Sequence, residues 1–352
     1  MDLEEIKEKL RSYDGPPVKI MEVCGTHTAA MVRNGIHSLL TPKIQLVSGP
    51  GCPVCVTVTA YIDKLVELSR DPGNYVYAFG DLLRVKGSTS SLLDARAEGA
   101  HVVMVYSPME MLDAAGKDPA HTHIFAAVGF ETTTPAYALL LEEAERRSLA
   151  NVKLLTSLKT MPEVIEWLCA ADLQLPEEER ITGFLAPGHV CAVSGYDCYR
   201  PIAKRYRLPF IVAGFSGEEL LLAIYGLIRA RGTAAVKNFY PRVVEEYGNR
   251  QAQAAVARMF RPAPSAWRGM GIIENSGLIL REEYAFRDAG SDGLFEDHTG
   301  TGCRCADVLM GRIAPLQCPL FGKACTPASP RGACMVSQEG ACFNAFTGRD
   351  RM

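Results

Sequence analysis

The sequence predicts an α/β protein: two adjacent α/β domains with mostly parallel sheets, followed by a Cys-rich irregular C-terminal domain. Three observations carry this reading. From residue 17 to 250, short continuously apolar runs alternate with amphipathic stretches, the pattern of buried parallel strands joined by helices. Beyond residue 260 that periodicity fades and Gly, Pro and Cys take over. Six of the twelve cysteines fall in the last 50 residues.

Residues 1–15, MDLEEIKEKLRSYDG, are charged and helix-forming, and read as an N-terminal helix. They lack the apolar core and the small-residue cleavage site of a signal peptide. Strands follow at VKIMEV (18–23), IQLVS (44–48), YVYAF (75–79), HVVMVY (101–106), IFAAVGF (124–130), VKLLTS (152–157), ITGFLA (181–186) and PFIVAGF (209–215). Each is followed by a turn and a helical pattern such as PAYALLLEEAERR or GEELLLAIYGLIRA. Eight strands over about 230 residues suit two domains, 16–148 and 149–260. AAVGFETTTPAYALLL echoes IVAGFSGEELLLAIY, which suggests an internal duplication, although the spacing differs between the halves. Residues 261–352 form the third region, and a segment of that composition needs a staple besides apolar burial.

Several function classes drop out. A formal net charge of −3 offers no basic excess for a phosphate backbone, so nucleic acid is not an expected partner. The apolar runs fall short of the roughly 18 residues of a membrane span, so a cytoplasmic protein is expected. No G-x-x-x-x-G-K-[ST] is present and GMGIIENSG (269–277) does not complete G-x-G-x-x-G, so no nucleotide is indicated.

Without an export signal, twelve cysteines point to metal or redox chemistry and not to a disulfide framework. The tail carries Cys303, Cys305, Cys318, Cys325, Cys334 and Cys342, with no C-x2-C pair of the kind structural zinc sites draw on. Intervals of 14, 6 and 16 residues between Cys303, Cys318, Cys325 and Cys342 suit the four corners of a [4Fe-4S] cluster, making this an expected iron–sulfur domain. Six thiols for four corners leave two over, and spacing does not say which two. A spare pair beside a cluster suits a redox-active disulfide.

Cys24 lies in MEVCGTHT, directly after the first strand. At a helix N-terminus the dipole favours its thiolate, with Thr26 or Thr28 as caps and His27 as an acid/base or hydrogen-bond partner. The plainer alternative is a buried structural cysteine. Cys52 and Cys55 in SGPGCPVCV form a thioredoxin-type C-x-x-C, with proline in its second position. Asp81, Glu131 and His189 likewise follow strands. The carboxyl ends of parallel strands form the binding crevice, so Cys24, Cys52, Cys55, Asp81, Glu131 and His189 are expected on one edge. Taken alone, Glu131 also suits a helix start with Thr132, Thr133 and Pro135. His37, His101, His121, His123 and His298 form no constellation, and Cys169, Cys191 and Cys198 read as buried small apolar residues.

The motifs MEVCGTHT, GPGCPVCV, FGDLLRV, GFETTTP, APGHV and CPLFGKACTPASPRGACMVSQEGAC, in that order, resemble those of the HypD family of hydrogenase maturation proteins along nearly the whole chain. The resemblance implies an assembly scaffold with redox activity, on which the Fe(CN)2CO unit of [NiFe]-hydrogenase is built together with a HypC-type small chaperone. It implies Cys24 as a ligand of that transient iron, with a chaperone cysteine as the other thiolate. It implies a HypE-type donor, charged by its carbamoyltransferase partner, that delivers cyanide as a thiocyanate on its C-terminal cysteine. The family's cluster pattern falls on Cys303, Cys318, Cys325 and Cys342. That leaves Cys305 and Cys334 as the implied disulfide relay, with Cys52 and Cys55 nearer the iron. The cysteine inventory alone also allows a cluster-linked disulfide reductase resembling ferredoxin:thioredoxin reductase, or a zinc-stapled interaction protein. The reductase reading leaves Cys24 and its CGTH setting without a purpose, and metal analysis separates the zinc reading.

Overall fold

A computed structural model describes residues 2–298, 300 and 302–348. The chain is α/β and divides into two compact units: Met1–Cys52, Val164–Asn249 and Gly302–Met352 in the first, Pro53–Glu163 and Arg250–Thr301 in the second.

The first unit is built on a parallel sheet of β1 (Val18–Glu22), β2 (Ile44–Ser48), β7 (Gly183–Pro187), β8 (Phe210–Ala213) and β9 (Val236–Asn238), in the order β2-β1-β7-β8-β9. The apolar runs of β7 and β8 are buried at every position, as strands covered on both faces must be. One covering helix, Gly217–Arg229, starts at a reciprocal Ser216/Glu219 capping box and places Leu220, Ile224 and Leu227 in a core shared with Ile20, Leu185 and Ile211. The N-terminal helix Leu3–Arg11, whose first turn is capped by the Asp2 carboxylate accepting the Glu5 N–H at 2.8 Å, adds Ile6 and Leu10 to that core.

The second unit is built on β3 (Asn74–Ala78), β4 (Val102–Met104), β5 (Thr122–Gly129), β6 (Val152–Lys159), β10 (Phe260–Trp267) and β11 (Gly271–Leu280), in the order β10-β11-β6-β5-β3-β4. Strands β3 to β6 are parallel, whereas β11 pairs antiparallel with both β6 and β10. Helix Thr134–Arg146, with proline in its first turn, packs Tyr137, Leu140 and Leu141 against Phe125 and Leu154.

All eight expected strands are present; β9, β10 and β11 are additional. The boundaries expected at 148/149 and 260/261 do not coincide with the two units. Strands β1 and β2, expected in the first domain, pair in one sheet with β7 and β8, expected in the second. Residues 261–352 do not act as one block either: β10 and β11 complete the second unit's sheet, and the tail from Gly302 belongs to the first unit. Among the described residues, no helix is long and apolar enough to cross a membrane.

Candidate functional site

Cys24 follows β1 as the N-cap of helix Gly25–Arg33, in extended conformation. Gly51, on the loop after β2, lies against it: the Gly25 N–H donates to the Gly51 carbonyl at 3.0 Å, and a Cβ on Gly51 would sit 2.3 Å from the Cys24 nitrogen. That contact requires glycine. Glu22, two residues back, turns its carboxylate inward. It accepts the Cys24 N–H at 2.9 Å and the Thr28 hydroxyl, and burial pushes its carboxyl up to about 7. From the tail, Glu339 accepts the Thr26 hydroxyl at 3.5 Å.

Sequence reasoning expected the helix dipole to favour a Cys24 thiolate. The balance runs the other way. Cys24 is 7% exposed, and burial raises its thiol to about 12; the N–H groups of His27 and Thr26 pull it down, while Glu22 and Glu339 push it up. The thiol therefore holds its proton at neutral pH.

The His27 ring does not serve as the expected partner in the form sequence suggested. Its Nε2 faces the carbonyls of Ala213 at 3.2 Å and Gly214 at 3.1 Å, so Nε2 carries the proton and Nδ1 is left a buried acceptor without a hydrogen bond. Burial holds the ring neutral, at about 4. It is the His27 backbone N–H that favours the Cys24 thiolate, while the imidazole ties the helix start to the end of β8. Phe215 packs between His27, at 4.8 Å between centroids, and the exposed His189, at 4.1 Å. Neither Glu22 nor Phe215 was singled out from sequence. A charged residue closing an apolar run, and an aromatic in GF after a strand, were the available signals.

Cys52 and Cys55 are oxidised to a disulfide within GCPVC. In the tail, the six thiols gather in one place. Cys305 and Cys334 are buried with their sulfurs 2.6 Å apart. Hydrogen bonds with Cys305 raise the thiols of both Cys303 and Cys334, and Cys334 also bonds Cys342. Burial raises Cys325, whose sulfur accepts the Arg331 N–H at 3.3 Å and lies within electrostatic reach of Cys342 and Cys318. A Cβ on Gly332 would lie 2.7 Å from the Cys303 sulfur. Among the described residues, no three His, Cys, Asp or Glu side chains are grouped closely enough to hold a metal ion as they stand.

Cys55, Asp81 and Glu131 belong to the second unit, so the six residues expected on one edge are divided between the two units. Asp81 sits in the first turn of the short helix Gly80–Leu83 after β3. Glu131, after β5, accepts the Met161 N–H at 2.8 Å, and burial raises its carboxyl to about 7. Of the histidines without an expected constellation, three surround Tyr75: His101 and His123 stack at 4.6 and 5.5 Å, and His121 meets it edge-on at 5.3 Å. Cys169 and Cys191 are buried as expected, whereas Cys198 is partly exposed and donates to the Gly195 carbonyl.

Comparison with known proteins fixes the family. The profile of HypD, described as the Hydrogenase formation hypA family, matches residues 2–348. The hydrogenase maturation factor HypD of Rhodobacter capsulatus is 40% identical, covering 97% of this chain and 92% of its own length. That of Escherichia coli (strain K12) is 41% identical over the same shares. A putative hydrogenase expression/formation protein of Methanocaldococcus jannaschii is 37% identical over 92% of this chain and 90% of its own. With its motifs in order and these matches end to end, the chain belongs to the HypD family of hydrogenase maturation factors.

Proposed function

We propose that this protein is the scaffold on which the Fe(CN)2CO unit of [NiFe]-hydrogenase is assembled, with Cys24 holding the cargo iron. The observation that carries the reading is the setting of Cys24: a shielded sulfur at a helix start, with the N–H groups of Thr26 and His27 favouring its thiolate. A thiolate suits a soft iron carrying cyanide and carbon monoxide. A HypC-type chaperone supplies the second thiolate. A HypE-type donor, charged by its carbamoyltransferase partner, delivers cyanide as a thiocyanate, in the cytoplasm.

Releasing cyanide from a thiocyanate takes two electrons. Cys52 and Cys55, as a dithiol, supply them. One thiolate attacks the thiocyanate sulfur and cyanide leaves; the second closes the Cys52–Cys55 disulfide and frees the donor's thiolate. Supporting a [4Fe-4S] cluster in the tail, its thiols neighbour one another, backbone N–H groups face Cys325, and Gly332, lacking a side chain, lets the Cys303 sulfur come close to its backbone. Cys303, Cys318, Cys325 and Cys342 would hold that group, which supplies single electrons. Cys305 and Cys334, the remaining neighbours, form the second dithiol.

The same Cys305–Cys334 contact favours a second reading, a cluster-linked disulfide reductase. An infrared spectrum separates the two. The protein is purified anaerobically from a host expressing the maturation partners, as wild type and as Cys24→Ala. Cyanide and carbonyl bands in the wild type that vanish in the variant, with cluster absorbance unchanged, are the expected result. Bands of equal strength in Cys24→Ala would remove Cys24 as the ligand. No bands in a partner-bound protein with intact cluster would favour the reductase.

A further inference from the structure

A residue at the tip of a β-hairpin normally stands in water, and arginine is seldom buried whole. Arg268 is the first residue of the turn that joins β10 to β11, where Trp267 pairs with Gly271, yet it is 4% exposed. Its neighbours hold the hairpin tip in place. The buried Trp267 indole donates to the Ser276 hydroxyl at 2.8 Å, and Gly269, at φ 72°, turns its N–H to the Asp297 carboxylate at 3.1 Å.

What Arg268 meets is the chain just after Cys55. Its backbone N–H donates to the Val56 carbonyl at 2.9 Å, and its Nε to the Thr57 carbonyl, also at 2.9 Å. Thr57 in turn closes the turn at 53–56 in which Cys55 stands: its hydroxyl donates to the Pro53 carbonyl at 2.9 Å and its N–H to the Val54 carbonyl at 3.3 Å. Asp297 accepts the Thr59 N–H at 3.3 Å and lies 3.6 Å from the Arg268 Nη1, so the same carboxylate holds both the hairpin tip and the chain beyond Thr57. All of these residues belong to the second unit. As mere filling, arginine is a poor choice here. Its Nη2 is buried without a hydrogen-bond partner among the described residues, and an apolar side chain of similar length would pack with no charge to desolvate. What the guanidinium adds is a planar donor fixed on the residue that closes the cysteine turn.

We propose that Arg268, acting through Thr57, is a positioning residue for the Cys52–Cys55 couple: it fixes the turn that carries Cys55 and so raises the effective concentration at which the dithiol closes. Two thiols close a ring readily when the chain between them has few other conformations to visit. The inference rests on the reading of Cys52 and Cys55 as a redox couple, but not on what that couple reduces.

Glutathione is the probe. The full-length chain is equilibrated anaerobically in buffers of graded glutathione ratio, where closing the disulfide oxidises two thiols and reduces one oxidised glutathione to two thiols. Free thiols are then trapped, and the tryptic peptide 44–64, which holds Cys52 and Cys55 and no other cysteine, is weighed. Arg268→Met should lower the effective concentration of closure roughly tenfold, which raises the reduction potential of the couple by about 30 mV. Thr57→Val, which keeps the shape and loses the bond to Pro53, should shift it in the same direction. Side chains that only supported the fold would lower the melting temperature of the oxidised and reduced chains alike and leave the glutathione ratio unchanged. That outcome in Thr57→Val would overturn the proposal even if Arg268→Met failed to fold. A wild-type couple that stays closed at every ratio would instead remove the redox reading of Cys52 and Cys55, and the proposal with it.

Discussion

At Glu131 a carboxylate is held where its charge is poorly solvated. The residue's stem is partly exposed, but Oε2 is buried with no partner, and Glu163 adds a like charge. The carboxyl titrates near 7 in the folded chain instead of 4.5. Between those two values the folded state binds more protons than the unfolded one, so this residue lowers stability as pH rises from about 4.5 to 7, and the loss is complete above 7. The span corresponds to an upper bound of about 3 kcal/mol. Glu131→Gln keeps an acceptor for Met161 and offers Glu163 a donor. It should be more stable than wild type by about 2 kcal/mol at pH 8 and nearly equal at pH 4.5; urea melts at the two pH values check this. A gain of the same size at both would mean that protonation is not the cause. The position of Glu131 after a strand was legible in the sequence, and so was that of Cys24. The sign of the environment was not. Whether a helix start favours a thiolate depends on how much water reaches the sulfur and which carboxylates fold back beside it, and both are tertiary facts.

At the level of elements, continuous apolar runs identified strands because a strand covered on both faces has no polar side to show. The three that escaped each break that rule. β9 is only Val236–Asn238. β11 carries Glu274, Asn275 and Ser276 in its middle. β10 holds Pro262 and Pro264, which argue against a central strand; it lies at the sheet edge, and its register slips between Ala263 and Ser265. Glycines show the reverse case, where a small feature of sequence encodes a contact. Gly51 looked like a turn residue, yet its place against the Cys24 nitrogen is what brings the loop after β2 onto the end of β1. Gly51→Ala should therefore lower stability by about 2 kcal/mol or more and deplete iron carriage, although it removes no candidate ligand. Thermal melting and iron analysis of the variant test this. A variant that melts with the wild type and carries normal iron would show that the loop relaxes freely.

For the whole molecule, the segmentation was the part least available from sequence. A sheet that joins β1 to β7 is specified by complementary faces far apart in the chain, and a local pattern carries no record of such pairing. The consequence is that the tail, which looked like an appended metal domain, is part of the unit that holds Cys24. Glu339 meets Thr26 at the start of helix Gly25–Arg33, and a Cβ on Gly348 would collide with Val32 at its end. The tail has few large apolar side chains of its own in the interior, chiefly Val308, Leu309, Met335 and Val336, so a cluster holding its cysteines would supply much of its folding free energy. By contrast, among the described residues the core around Ile20, Leu185 and Ile211 draws on none from the tail. Loss of the tail's staple should then be felt at the helix that bears Cys24. If the tail holds the proposed cluster, removing its iron by chelation, or Cys318→Ser, should speed hydrogen exchange in residues 333–347 and with it in 23–33, by roughly tenfold or more, while β1, β7 and β8 keep their protection. Cys24→Ala should leave the tail unchanged. Iron carriage at Cys24 would fall in Cys318→Ser with the Cys24 thiol intact. Unaltered exchange in 23–33 after cluster loss would show that the helix bearing Cys24 stands without the tail, and the two metal sites would then have to be treated as independent.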